Sequence, residues 1–258
     1  MSTAHALSDT VTLTRRSLTH ILRSPDTIIT PAIMPIAFLL LFVFVFGGAV
    51  DIGDGAGEGN YASYLLPGIL LITVASGIAY TSYRLFLDMQ GGIFERFQSM
   101  SIARSSVLWA HVLTSLVANL VSIALVVGVA LLLGFRTSAS VGAWLAVAGI
   151  LILFTLALTW IAVIAGLSAK TVDGASGFSY PLIFLPFISS AFVPTDSMPG
   201  PVAWFAENQP VTSIVNTIRA LFAGQPVGGE IWVALAWLAG ILVVAYGFAV
   251  VVYRRKIR

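Results

Sequence analysis

Six stretches of the sequence are each near 20 residues long, predominantly apolar, and free of Asp, Glu, Lys and Arg apart from a flanking position or two. They run at about 31–50, 61–83, 107–134, 141–168, 174–193 and 230–252. A helix needs about 20 residues to cross the hydrocarbon core of a bilayer. Nothing else constrains the fold so tightly, because each stretch must satisfy its own backbone inside the membrane. The predicted fold is therefore all-α and integral to the membrane: one transmembrane domain over 1–258 with six transmembrane helices. Composition agrees. With 58% hydrophobic and 9% charged residues, a chain of 258 residues has too little polar surface for a soluble globule. Its net charge of +2 is no nucleic-acid signal, because the basic residues are dispersed among the membrane-flanking segments. The absence of cysteine excludes disulfides and thiolate metal sites. The first apolar run starts only at Pro31, too late and too long for an ordinary signal peptide.

An even number of spans places both termini on one side. Every Lys and Arg except Arg136 and Arg219 then falls on the side of the termini. By the positive-inside rule both termini are expected in the cytoplasm, together with the 84–106 segment. The first outer loop, with Asp51, Asp54 and Glu58, is acidic and Gly-rich.

The connection between the second and third spans is the most charged internal segment, with Arg84, Asp88, Glu95, Arg96 and Arg104. Its apolar residues Phe86, Met89, Ile93, Phe97 and Met100 recur at steps of three and four, the stripe of an amphipathic helix. Gly91-Gly92 in its middle predicts two short helices or a bend. Such a segment can lie on the membrane and offer its polar face to a soluble partner; the plainer alternative is a solvated helical loop. If it docks into a groove, Phe94 or Phe97 is the expected buried anchor, and Glu95 and Arg96 the orienting charges. A second amphipathic stretch covers 8–24, with Val11, Leu18, Ile21 and Leu22 on one face and Arg15, Arg16 and Arg23 on the other. Ser24-Pro25 ends it, and an N-terminal interface helix is expected.

The interior of the spans holds no ionisable residue except His111 near the inner end of the third. Ion-coupled transporters and voltage sensors rely on intramembrane charge, and a hydrolase needs a base or metal ligands. The chain is therefore expected not to be an enzyme, with no catalytic residue and no metal site. It has no P-loop, so it is not expected to bind ATP by that route. Energy for transport would have to arrive from outside, through the charged segment. The polar residues within the spans are mild, and hydrogen bonding between helices explains most of them. Thr73, Ser76 and Asn119, with the aromatic Tyr180, Phe184 and Phe187, are candidates for a path taken by an amphipathic substrate. Lipid-facing aromatics would look the same.

Pro181 and Pro186 interrupt the fifth span and predict a kink. The outer region from Pro194 to Glu230 is too long for a turn. It predicts a short helix over Val202 to Glu207 and another starting at Pro210, with Ile214, Ile218 and Phe222 on one face, Arg219 near its end and Gly224 beyond it. About 13 residues cannot span the bilayer, so this is an external re-entrant or interfacial helix.

From Phe178 to Leu221 the sequence resembles the fifth span and outer re-entrant region of type-2 ABC exporter permeases. Pro181, Phe184, Phe192-Val193-Pro194, Met198-Pro199, Trp204, Asn208-Gln209-Pro210 and Arg219 carry the likeness. The runs Arg23 to Gly48 and Gly91 to His111 resemble the daunorubicin-resistance, multidrug-efflux branch, although Ser101 stands where that family commonly has Pro. The resemblance implies a permease in the plasma (inner) membrane that dimerises, as a homodimer, and carries an ABC ATPase subunit on each cytoplasmic face, two copies in all. It implies no cofactor on this chain, ATP and Mg being bound by the partner, and no nucleic acid. The residues around Glu95-Arg96 would be the cytoplasmic coupling helix, and the N-terminal helix a second ATPase contact. Cargo would be amphipathic drugs or lipid-like molecules. A lipid-linked glycan exporter of the same architecture, or a membrane scaffold without a transport cycle, are the alternatives.

Overall fold

The computed structural model describes residues 10–19, 26–46, 58–91 and 104–256. Among these every regular element is helical and no strand occurs. The chain order is α1 (10–19), α2 (Asp26–Leu41, extended by a π-helical turn Phe42–Phe46), α3 (Glu58–Gln90), α4 (Arg104–Leu132) and α5 (Val141–Ser168). Then come α6 (Val172–Gly177), α7 (Ser179–Phe184), 3-10 turns at Leu185–Ile188 and Thr195–Ser197, α8 (Gly200–Asn208), α9 (Pro210–Phe222) and α10 (Glu230–Lys256).

Four helices, α3, α4, α5 and α10, are long and apolar enough to cross a membrane. The first and fifth expected spans correspond to shorter apolar helical stretches, Ile29–Val45 and Val172–Ile188. The fifth is broken as its prolines predict. Its helical turns separate at Phe178 and again at Leu185, where Pro186 enters the 3-10 turn. The second runs further toward the basic end than its hydropathy predicts. Arg84 to Met89, read in the sequence as part of a separate surface helix, belong to α3, which ends at Gln90 in a turn at Gly91. Ser140 caps α5 by accepting from the Ala143 N–H at 3.2 Å, and Thr171 caps α6 by accepting from Gly174 at 3.1 Å.

α3 is the centre of the bundle, packed against α2, α4, α5, α6, α7 and α9. Leu65, Leu66, Ile69, Leu70, Leu71 and Ile72 are all fully buried, so this helix is enclosed on every side over 65–75. α10 lies at the periphery. It packs on α5 and α9 and exposes Trp232, Val243, Val244 and Phe248. Close packing at the centre depends on small residues. A Cβ at Gly68 would sit 2.6 Å from the Ala191 side chain, and one at Gly166 2.8 Å from the Ser82 carbonyl oxygen.

Two cores result. The larger runs from mid-bundle to the end that carries α8 and α9. The smaller sits at the opposite, basic end, where Leu85, Val107, Leu108, Val112, Trp160, Leu167, Ala249 and Tyr253 meet. Leu13 of α1 and Met89 of α3 pack against this smaller core. Lys256 donates to the Leu167 carbonyl and so joins the end of α10 to the end of α5.

Candidate functional site: a polar cleft and a clamped helix

At the basic end, α3 and α4 are held together by hydroxyls. Thr81 Oγ1 donates to Ser115 Oγ at 2.7 Å, and Ser115 Oγ lies 3.3 Å from Thr159 Oγ1 on α5, so three helices share one chain of hydroxyls. Asn119 Nδ2 donates to the Ser115 carbonyl at 2.9 Å, which fixes the amide with Oδ1 as acceptor. That oxygen is buried without a hydrogen-bond partner, as are Thr114 Oγ1 and Ser76 Oγ. Gly77 makes the room for it: a Cβ there would collide with the Asn119 amide.

Beside this network lies a partly open cleft. Thr114, Ser115, Asn119 and Ser122 line it from α4, and Gly77, Tyr80, Thr81 and Arg84 from α3. Ser17 of α1 and Pro31 of α2 also border it. His111 lines the cleft as well, and its Nε2 lies 3.1 Å from the Asp88 carboxylate, an ion pair across α3 and α4 when the imidazole is protonated. Arg84 lies over the Tyr80 ring, 5.9 Å from its centroid.

At the other end, Arg219 ties α9 to the rest of the molecule. Its guanidinium donates to the Ser190 carbonyl at 2.8 Å, to Asn216 Oδ1 at 3.1 Å and to the Tyr64 carbonyl at 3.3 Å. It stacks on the Tyr64 ring at 3.9 Å. The Ser190 carbonyl is available because helix ends at Ile188, leaving oxygens without the N–H groups a helix would supply. A planar, multiply donating cation suits such a cluster of acceptors. Burial pushes the Arg219 pKa below its ordinary value, against the pull of Tyr64 and Glu230. It still carries its charge, having started far above neutrality. Among the described residues no carboxylate is within ion-pair distance of it.

α9 is fastened at both ends. Gln209 Nε2 donates to the Ile188 carbonyl at 2.6 Å. At the far end Thr137 Oγ1 and the Ser138 N–H both donate to the Phe222 carbonyl, at 2.6 and 3.1 Å. Gly224 follows in the left-handed region, φ 66°. Ile214 and Ile218 are fully buried within the main core, so protein covers the apolar stripe of α9.

The residues singled out in the sequence therefore fall into separate places. Asn119 lines the cleft, whereas Thr73 is buried in the core and donates to the Ile69 carbonyl of its own helix. Phe187 stacks on Phe192 at 4.7 Å and meets Phe38 edge-on at 5.6 Å. Tyr180 and Phe184 are 63% and 59% exposed, on an outward face of the broken helix. Arg15 and Arg16 are exposed on α1, and Pro210 opens α9. Phe94, Glu95, Arg96 and Phe97 lie outside the described residues. Sequence reasoning did not single out Gly77, Arg84 or the His111–Asp88 pair as parts of one site. The one available signal was small and charged residues at helical spacing on α3 opposite hydroxyls on α4.

The family profile described as ABC-2 type transporter matches residues 8–223. The chain is 30% identical over 260 residues to a daunorubicin resistance ABC transporter permease protein of Streptomyces coeruleorubidus, covering 98% of this chain and 88% of that one. It is also 27% identical over 252 residues to a probable doxorubicin resistance ABC transporter permease protein of Mycobacterium tuberculosis, covering 96% and 89%.

Proposed function

The chain belongs to the ABC-2 type transporter family, and from that premise we propose that it is the membrane-spanning permease of an ATP-driven exporter in the daunorubicin-resistance branch. It moves amphipathic drugs or lipid-like small molecules out of the cell. ATP and Mg are bound and hydrolysed by two copies of a separate ABC ATPase, and a second copy of this permease completes a homodimer. Both termini and the 84–106 segment face the cytoplasm, following the basic residues.

The carrying observation is the placing of α1. Its Leu13 packs into the same small core as Met89 and Leu85 of α3 and Val107 and Leu108 of α4, while Val11, Arg15 and Arg16 are exposed on its surface. A soluble partner pressing on that exposed face pushes directly on the inner ends of α3 and α4. Residues 92–103 join those same two ends, so a force on that connection arrives at the same place. ATP-driven closure of the ATPase pair would then rock the spans between inward- and outward-facing arrangements.

Co-expression with candidate ABC ATPase subunits tests this. A stable complex should co-purify in detergent, with ATP hydrolysis stimulated by amphipathic compounds. A chain that binds none of the candidates, at normal membrane levels, would contradict the proposal.

A further inference from the structure

We propose that the outward face of α10 and its basic end form a docking surface for an acidic phospholipid. Arg254, Arg255 and Lys170 hold the headgroup, and the acyl chains lie along the helix. This goes beyond the exporter reading and does not depend on it.

α10 packs on α5 and α9, with Leu238, Ala245 and Ala249 buried. The opposite side is an uncovered stripe. Trp237, Val244, Phe248 and Val251 are exposed at helical steps of seven, four and three, and exposed Arg255 follows one turn further on. Gly240 and Gly247 fall on the same side, and a Cβ at either would meet nothing within 4 Å. A shallow furrow is left between the larger side chains, of the kind an acyl chain fills. From exposed Trp232 to Arg254 the helix rises about 33 Å, close to the thickness of the hydrocarbon core. An aromatic ring therefore stands at one interface and the guanidinium groups at the other.

The charges at that end are not used by the protein. Lys256 donates to the Leu167 carbonyl and closes the end of α10 onto α5, which brings Lys170, three residues beyond Leu167, to the same end of the molecule. Arg254, Arg255 and Lys170 are exposed, and among the described residues their side chains have no hydrogen-bond or ion-pair partner. Asp173 on α6 is exposed and not within ion-pair distance of Lys170, and one acid does not balance three cations.

A phospholipid meets both halves of this surface at once. Guanidinium groups take phosphate oxygens through paired N–H donors, and the chains cover the apolar stripe. A soluble protein meets the charges but not an apolar stripe of membrane-crossing length. A second copy, related by a two-fold axis along the membrane normal, would set the Arg254 and Arg255 pairs of both chains together, like charge against like.

The chain has no cysteine, so Val251→Cys gives a single site for pyrene maleimide one turn from Arg255. The labelled permease is placed in phosphatidylcholine nanodiscs with a graded fraction of 5-doxyl phosphatidylglycerol or 5-doxyl phosphatidylcholine, first alone and then with its ATPase bound. The acidic lipid should quench pyrene at an about fivefold lower fraction than the zwitterionic one, in both preparations. Arg254→Gln with Arg255→Gln should bring the two lipids to within about twofold of each other. Monodisperse elution and an unchanged melting temperature in phosphatidylcholine show that this variant keeps its fold. Equal quenching by the two lipids, or a preference untouched by the double substitution, would overturn the proposal. So would excimer emission, which places a second copy on the stripe, or a preference lost when the ATPase binds, which makes the basic end a protein contact. Failure of the same complex to transport bears on the exporter reading alone.

Discussion

A Cβ placed on Gly77 would overlap the Asn119 amide, a side chain held by two bonds to Ser115. Gly77→Ala should therefore push α3 from α4 and destabilise the protein by about 1–3 kcal/mol. Trimming the neighbour should restore the fit, so Gly77→Ala with Asn119→Ala should cost clearly less than the sum of the two single changes in thermal unfolding. Additive losses would mean that the two residues are not packed against each other. Gly166 offers no such rescue, because its neighbour is the Ser82 backbone oxygen. At the other end of the bundle, Arg219→Lys keeps the charge and loses the fork that reaches Ser190, Asn216 and Tyr64 together. Stability should fall by about 1–3 kcal/mol and export with it, while the ATPase still co-purifies. A variant with wild-type melting and export would show the clamp to be dispensable. Arg219 was recognisable in the sequence as an isolated basic residue on the outer side. Its acceptors were not, because carbonyls left over by a broken helix leave no mark in the side-chain sequence.

Among the elements, those bounded by turn chemistry were the most legible. Pro181 and Pro186 announced the broken fifth helix, and Pro210 with Gly224 framed α9 closely. The inner end of α3 was misjudged because Arg84 and Asp88 ended the apolar run while the helix continued to Gln90. Backbone hydrogen bonding outlasts hydrophobicity where a helix leaves the membrane into water or into a protein cleft. The coupling segment can be tested element by element. With Phe94→Ala and Phe97→Ala combined, the ATPase should be released, since aromatic anchors carry about 2 kcal/mol or more each. Charge reversal at Glu95 or Arg96 should instead uncouple hydrolysis from export while weaker binding persists. Four changes without effect on co-purification or hydrolysis would mark the segment as a solvated loop, where exposed charges contribute only about 0–1 kcal/mol.

For the molecule as a whole, hydropathy located the membrane helices but not their order from centre to rim. The hydropathy window of α3 is 72% buried inside the protein and that of α10 only 17%, although α10 is the more hydropathic. Lipid and protein interior are equally apolar, so greasiness does not distinguish them. The better guide is the pattern of small and hydroxylated residues, Gly68, Gly77, Thr81, Ser115 and Thr159, which gather where helices meet. The same central packing leaves a cleft at the basic end, a clamped helix at the other, and α1 resting on the smaller core. The central claim is that this chain moves cargo using energy released on another. It is tested most directly by measuring uptake of a fluorescent amphiphile into inverted vesicles containing the permease and its ATPase. Accumulation should require ATP, Mg and both chains, and should vanish with an ATPase unable to hydrolyse ATP. Accumulation without the ATPase, or none with a fully assembled and hydrolysing complex across anionic, neutral and cationic amphiphiles, would contradict it.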